Sequence, residues 1–390
     1  MTITEKTIGG VSPDYATLTA WQAARKTASS SGDTERAIVR SGVYDERVNL
    51  TGWTDGVIIE LVAETSHGGI EGKGPVINPS ASGVIFIVNE AGCTLLLDGI
   101  SLTGPTDDGD DGIYVQASGG VTARNCLFYD IDAGTSCDAI QVQHNGAVTV
   151  DVENCSFRNI GRGAVVAINV PGPVTVNMRN CTVVDSAYGV RLWTDSGDDS
   201  FTANLYNTLI SASTSCVLKQ GGGGTEVINL YDCIITDGTA TTHADVAVHV
   251  TENATFQAGA GGSGDRVMFS DLVGPAYDLH LFVHQDNLAR GYGNPANAPS
   301  IGTDWEGDTR HAYANVDAGA DQSDFIPDSG GSERGSKIPR TGSVERSMGP
   351  TSFDGRTAPP AVSGPRVKVR DDRPARSPGP MRNPLKMPKF

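Results

Sequence analysis

Short apolar runs, not long ones, set the pattern of this chain. A brief alternation of apolar and polar residues, followed by Asn-Cys or a close variant, recurs along its middle. It reads GCTLLLDGISLTG around Cys93, ARNCLFYDI around Cys126, VENCSFRNI around Cys155 and MRNCTVVDS around Cys181. It continues as LYNTLISAS around Thr208 and LYDCIITDG around Cys233, with anchors 33, 29, 26, 27 and 25 residues apart. A second run lies between anchors: DGIYVQ at 111–116, DAIQVQ at 138–143, AVVAINV at 164–170 and YGVRLW at 188–193. Strands this short, rich in Val, Ile, Leu and Thr and evenly spaced, predict β-coils stacked into a solenoid. A single coil cannot bury its own apolar face, whereas coils stacked ~4.8 Å apart can. One coil per ~27 residues over 35–285 predicts roughly nine coils and a length of about 40 Å.

The N-C-x-F/V-x-[DN] phrase and its spacing resemble right-handed parallel β-helix proteins, the pectate-lyase-like superfamily. The resemblance covers 35–325 and implies an all-β fold: a single-stranded right-handed parallel β-helix. It implies little about activity, because many unrelated functions share that architecture. Both ends fit the picture. Ser12-Pro13 reads as an N-cap with Pro at the first helical position, and Pro13–Lys26 places Leu18, Trp21 and Ala24 or Arg25 at helical spacing. Such a helix would close the open end of a solenoid. IGTDWEGDTRHAYANVDAGADQ at 301–322 resembles the G-x-D-x-x-G-D-x-R…D-x-G-A segment that ends many bacterial β-helix repeats. The expected organisation is an N-terminal cap over 1–34, the β-helix over 35–285, a terminal segment over 286–327 and an extended tail over 328–390.

Charge divides the chain. Residues 331–390 hold 13 Lys/Arg against 5 Asp/Glu, net +8, and 10 of the 20 prolines. The remaining 330 residues hold 16 against 41, net −25. So acidic a body would repel phosphates, which argues against general nucleic-acid binding. No apolar run approaches the ~18–20 residues that span a bilayer, and MTITEKTIGG has no secretory n-region or h-region.

Five of the seven cysteines, Cys93, Cys126, Cys155, Cys181 and Cys233, share the anchor position. They are expected to form an internal column of small buried hydrophobes, with Asn125, Asn154 and Asn180 in a ladder beside it. There is no C-x-x-C pair and no zinc-ligand spacing among the seven His. Reduced thiols point to folding in a cytosol. The fold, by resemblance, belongs among proteins that act outside cells, and a bacteriophage virion protein assembled in the host cytoplasm reconciles the two.

The carboxylates are the candidates for chemistry. Asp111 and Asp138 open equivalent strands one coil apart and would sit near the ~5–9.5 Å separation that glycoside hydrolysis needs. His144, in His-Asn-Gly, is the third candidate, by its faint likeness to the His-Gly of polygalacturonase-like enzymes. Asp107, Asp108, Asp110 and Asp111 form the densest carboxylate cluster; no metal site is expected, and this loop is the alternative place for Ca²⁺. Against these stand two departures: the N-T-D and R-I-K phrases of polygalacturonase-like sites are absent, and only Arg124, Arg158 and Arg162 offer a basic partner nearby. Asp-rich turns are also an ordinary solenoid corner. Asp195, Asp198 and Asp199 are expected to face solvent, and GGGG at 221–224 lacks the Lys-Ser/Thr of a phosphate loop.

The tail has almost no apolar periodicity and cannot bury a core of its own. Arg366, Lys368 and Arg370 alternate with Val367 and Val369, as in a strand added to a partner's sheet. With Arg373, Arg376, Arg382, Lys386, Lys389 and Phe390 they make the expected partner-binding set. The resulting expectation is a non-enzymatic virion protein, a capsid decoration or a fibre- or tail-associated module, trimeric by family analogy and held to other virion subunits by its tail. The alternative is a polysaccharide lyase or glycoside hydrolase, with a surface glycan as substrate; a third reading is a passive glycan-binding spike.

Overall fold

The computed structural model describes residues 2–321 apart from 69, 105, 106, 108, 133–135, 145, 169–171, 195–199, 222, 223, 239–242, 259–265, 272–277, 282–286, 291, 298–303 and 305–316. The chain divides into residues 1–338 and 339–390. All nine partner-binding residues of the tail lie outside the described residues, as do Asp108 and the Asp195–Asp199 turn.

Alternation along each short run builds a parallel β-solenoid. Ten strands stack in sequence order in the first sheet: Ile3–Ile8, Thr34–Val39, Ile58–Ala63, Thr94–Asp98, Gly119–Arg124, Val148–Glu153, Pro173–Arg179, Ser200–Tyr206, Thr225–Tyr231 and Val246–Val248. Leu95, Leu97, Val121, Val150, Val176, Ala203 and Ile228 point inward and are fully or almost fully buried. Outward positions take polar residues. Asp151, Asn177, Asn204 and Asn229 stand in register, and each amide donates to the oxygen of the coil before it at 2.9–3.0 Å. A twelve-stranded second sheet carries the remaining strand positions. In Ser156–Ile168, Thr182–Thr194 and Leu209–Gly221 two of those positions merge into single 13-residue strands. The register slips between Ile160 and Gly163, where the strand turns the corner.

Three expectations need correction. The parallel ladder starts at Ile3 rather than 35, because Ile3–Ile8 pairs with Thr34–Val39. Its last strand ends at Val248 and one further parallel bridge, Ile234 to Thr251, follows, short of 285: Thr255–Ala258, Arg266–Asp271 and Asp278–Leu281 form a separate three-stranded sheet containing an antiparallel pair. The helix spans Leu18–Arg25 and its N-cap is Thr17, whose hydroxyl accepts from the Ala20 N–H. Ser12 instead has φ 51° in a turn. The residues after it are held on the first strand, Asp14 accepting from the Thr7 N–H and Tyr15 bridging to Ile8. Glu46 then accepts from the Leu18 and Thr19 N–H groups, a carboxylate at the positive end of the helix dipole.

The cysteine column is real but shifted at its start. Leu127 pairs with Ser101, so Cys126 stands over Ile100, and Cys93 lies outside the column, just before a strand of the first sheet. The column reads Ile100, Cys126, Cys155, Cys181, Thr208, Cys233, every member fully buried. Each thiol from Cys126 onward donates to the carbonyl two residues earlier, and the Thr208 hydroxyl does the same to Tyr206 at 2.9 Å. One position earlier, Asn125, Asn154, Asn180, Asn207 and Asp232 all adopt φ of 49–54°. This left-handed turn suits Asn and Asp because their side chains bond locally.

Asn294 and residues 317–320, described parts of the 286–327 segment, lie against the flank of the coils. Asn180 donates to the Asp317 carbonyl, Asn207 exchanges bonds with Asn294, and the Gly319 N–H donates to the Asn207 carbonyl. A Cβ on Gly319 would stand 2.7 Å from Leu209 Cδ1, so only glycine allows this approach. Leu127, Tyr129, Val184, Leu209 and Ile234 thereby join Val267, Phe269, Leu279, Ala318 and Ala320 in a second apolar cluster.

Candidate functional site

Asp111 and Asp138 are brought together, at the corner where each coil enters its Ile113–Val115 or Asp138–Val142 strand. Both are buried, at 1% and 0% exposure. Asp111 Oδ1 accepts the Asp138 N–H at 2.8 Å. Asp138 Oδ1 accepts the Gly163 N–H at 3.0 Å, so the arrangement repeats one coil on. Arg162 grips Asp138 from outside: Nε donates to both carboxylate oxygens at 2.9 and 3.0 Å, and Nη2 donates to Oδ2. Gln141 closes the cluster. With its amide nitrogen toward Asp111 it donates to Oδ2 at 2.8 Å, while its oxygen accepts from Arg162 Nη2 at 2.5 Å.

Two carboxyl groups face one guanidinium here. Burial pushes Asp111 up to about 8, with the neighbouring Asp138 charge adding to the effect. Burial also raises Asp138, although Arg162 pulls it back towards the ordinary range. The direction for both is upward, and Asp138, held by the arginine, is the one that carries the charge.

The remaining candidates do not join them. His144 lies past the other end of the Asp138–Val142 strand, ~13 Å or more away at 3.3 Å per residue, against Gly146. Asp110 Oδ2 accepts from the Gly83 N–H at 2.6 Å and the Asp107 N–H at 3.2 Å, which makes it a turn anchor. Among the described residues no group of three or more His, Cys, Asp or Glu is placed to hold a metal ion.

Of the three basic residues the sequence offers, only Arg162 reaches the carboxylates. Arg124 pairs with Glu153, and Arg158 with Glu71 and Asp130. Gln141 escapes sequence reasoning because nothing in a strand residue's repeat position tells which corner it reaches. Arg162 carries a weaker signal: Gly163 takes the place that Asp111 and Asp138 hold in the preceding coils, and Arg162 stands one position before it, where the preceding coil has Cys137.

Comparison with known proteins agrees with this architecture. Residues 77–210 match the family model described as the right handed beta helix region. Over those residues the parallel β-solenoid is similar to right-handed β-helix proteins. No curated protein matches the chain. Among solved structures it is similar to the pectin methylesterase from Aspergillus niger in deglycosylated form, at 15% identity and a TM-score of 0.33, covering 62% of this chain and 88% of that one. The penultimately deglycosylated form of the same enzyme matches at 14% identity with the same coverage and TM-score.

Proposed function

We propose that this chain is a non-enzymatic structural protein, a β-helix module of a bacteriophage virion, used in capsid decoration or next to a fibre or tail. One observation carries the non-enzymatic part. The two carboxylates best placed for acid–base work are buried and already occupied, each bonding the backbone of the next coil. A carboxylate that acts on a sugar must reach the glycosidic oxygen or a water beside the anomeric carbon. Here both groups tie coils together instead.

Seven free, buried cysteines support folding in a reducing compartment such as the host cytoplasm. The split between an acidic body and a basic tail supports attachment of residues 331–390 to acidic surfaces of neighbouring virion subunits, with a trimer as the working oligomer. Release of reducing ends or unsaturated products from host surface polysaccharide tests the enzymatic alternative. Turnover that disappears in Asp138→Asn overturns the structural reading; no turnover, together with co-sedimentation of the protein with particles, is the expected result. Deleting 331–390 should leave the β-sheet circular dichroism intact and abolish incorporation into particles.

A further inference from the structure

The two ends of the coil stack are finished differently. At the first strand, Ile3–Ile8, the chain folds back and occupies the free edge over Thr7 to Gly9. Asp14 Oδ2 accepts from the Thr7 N–H at 2.9 Å, the Tyr15 N–H donates to the Thr7 carbonyl, and the Gly9 N–H donates to the Tyr15 carbonyl. The helix Leu18–Arg25 adds the fully buried Leu18 and Trp21 to the core at this end. A free strand edge is a template for pairing with another chain, and here most of that template is used up.

The last strand, Val246–Val248, has no such cover. Among the described residues it pairs on one side alone, with Thr225–Tyr231. All three of its residues are exposed, Val246 at 37% and Val248 at 51%. Ala247 stands in register with Leu230, which is fully buried, so a core-facing position opens to solvent here. The Val248 carbonyl accepts from the Asp232 N–H and so faces the body of the sheet. By the alternation of a parallel ladder, the N–H and C=O of Ala247 face the other way, outward along the stack. Charge is one-sided as well. Residues 225–253 hold Glu226, Asp232, Asp237, Asp245 and Glu252 and no Lys or Arg. Two cationic groups reach in: Lys219 of the coil before pairs with Asp245, and His249 bonds Asp232.

We propose that this edge is the receptor for residues 366–370 of a second copy, which add to it as the next strand of the first sheet. The proposal rests on the attachment role given to the tail above and names the surface that the tail holds. The segment reads RVKVR, three cations alternating with two valines and no acidic residue. A valine opposite Ala247 covers the open core position. The basic residues on either side of it then lay their stems along Val246 and Val248 and carry their charge into the acidic end. Reach is no obstacle: the 44 residues from 322 to 365 can extend by roughly 150 Å at ~3.3 Å each. A copy that gives one strand and accepts one makes a heterologous contact, which closes as a ring of subunits.

The test mixes two full-length variants, Ala247→Cys and Val369→Cys, with oxidised glutathione, and maps the linked peptides by mass spectrometry; Val367→Cys covers the neighbouring register. The expected result is a cross-link between copies from 247 to 367 or 369. It should exceed by at least tenfold the yield with Val43→Cys, an exposed strand position of the second sheet, in place of Ala247→Cys. Changing Arg366, Lys368 and Arg370 to Glu in the donor chain should lower the yield at least fivefold. A cross-link as strong at Val43, a yield indifferent to the charge reversal, or no 247 cross-link at all overturns the proposal. So does a link formed mainly within one chain when both cysteines are placed in the same dilute copy. Incorporation into particles is scored separately. If the cross-link fails while deletion of 331–390 still abolishes incorporation, this receptor is wrong and the anchoring role of the tail stands. If the cross-link forms while the deletion leaves incorporation intact, the receptor stands and the virion reading falls.

Discussion

Arg158 and Glu71, 87 positions apart, form an ion pair with side-chain exposures of only 5% and 8%. Asp130 takes a second Arg158 nitrogen at 2.8 Å. The pair fastens the 64–74 loop to the outer face of the second sheet, where Arg158 stands in register with Tyr129 and Val184. Removing Glu71 takes the carboxylate from the buried Arg158 Nε while Asp130 still holds another nitrogen, which costs about 1–3 kcal/mol. Glu71→Ala should therefore lower the urea midpoint sharply. Replacing both residues, Glu71→Leu with Arg158→Met, should recover most of that loss.

The same loop carries a second anchor, with a pH signature of its own. His67 is buried, and its Nε2 lies 2.6 Å from the Asn125 carbonyl, to which it donates as the neutral ring. Burial holds its pKa down at about 4, below the ordinary ~6.5. The unfolded chain therefore takes up a proton first as pH falls. The contribution is fully present above ~6.5, declines below it, and is lost by about pH 4, a total of roughly 3 kcal/mol. Urea midpoints at pH 7.5 and pH 4.5 should differ by less in His67→Gln than in the wild type. Equal differences in the two proteins would rule this out.

Thr208 interrupts the cysteine column without breaking its bonding, since its hydroxyl makes the same bond to the carbonyl two residues back. Thr208→Cys should cost less than about 1 kcal/mol, whereas Thr208→Val loses a buried bond and should cost about 1–2 kcal/mol. Thermal denaturation of the two variants under reducing conditions compares them directly. Thiol reagents should label none of the cysteines of the native protein and all seven after denaturation, because every one is free and buried.

Asn180 has two duties that different substitutions separate. Its backbone sits at φ 51°, and its amide donates to the Asp317 carbonyl at 3.1 Å. Asn180→Gly keeps the turn and loses the tether; Asn180→Ala loses both. Hydrogen exchange over 317–321 should rise in both variants. Global stability should fall further in Asn180→Ala, by about 1 kcal/mol more, the cost of a left-handed turn without glycine or asparagine.

What the sequence reveals here follows from what repeats. The Asn-Cys phrase recurs because every coil makes the same turn, so the column and the ladder can be read directly. Cys93 misleads because it precedes a strand that resembles the others, and only the pairing of Leu127 with Ser101 shows that Ile100 holds the equivalent place. Asp111 and Asp138 are legible as a vertical pair for the same reason. Their occupation by Arg162 and Gln141 is not, because corner contacts depend on the register slip between Ile160 and Gly163. The flank contacts that Asn207 makes with Asn294 and Gly319 are hidden for a simpler cause. They join residues far apart in the chain, 87 positions in the case of Asn294, with no shared pattern between them.

The outward row of Asp151, Asn177, Asn204 and Asn229 points every amide the same way, from the later coil to the earlier. Each coil thus presents a donor downward and an acceptor upward, like the one before it. A whole coil is consequently a unit of inheritance. Duplicating one in frame leaves every column continuous, whereas inserting a few residues within a strand breaks all of them at once. A lineage of such proteins would change length in steps of one coil.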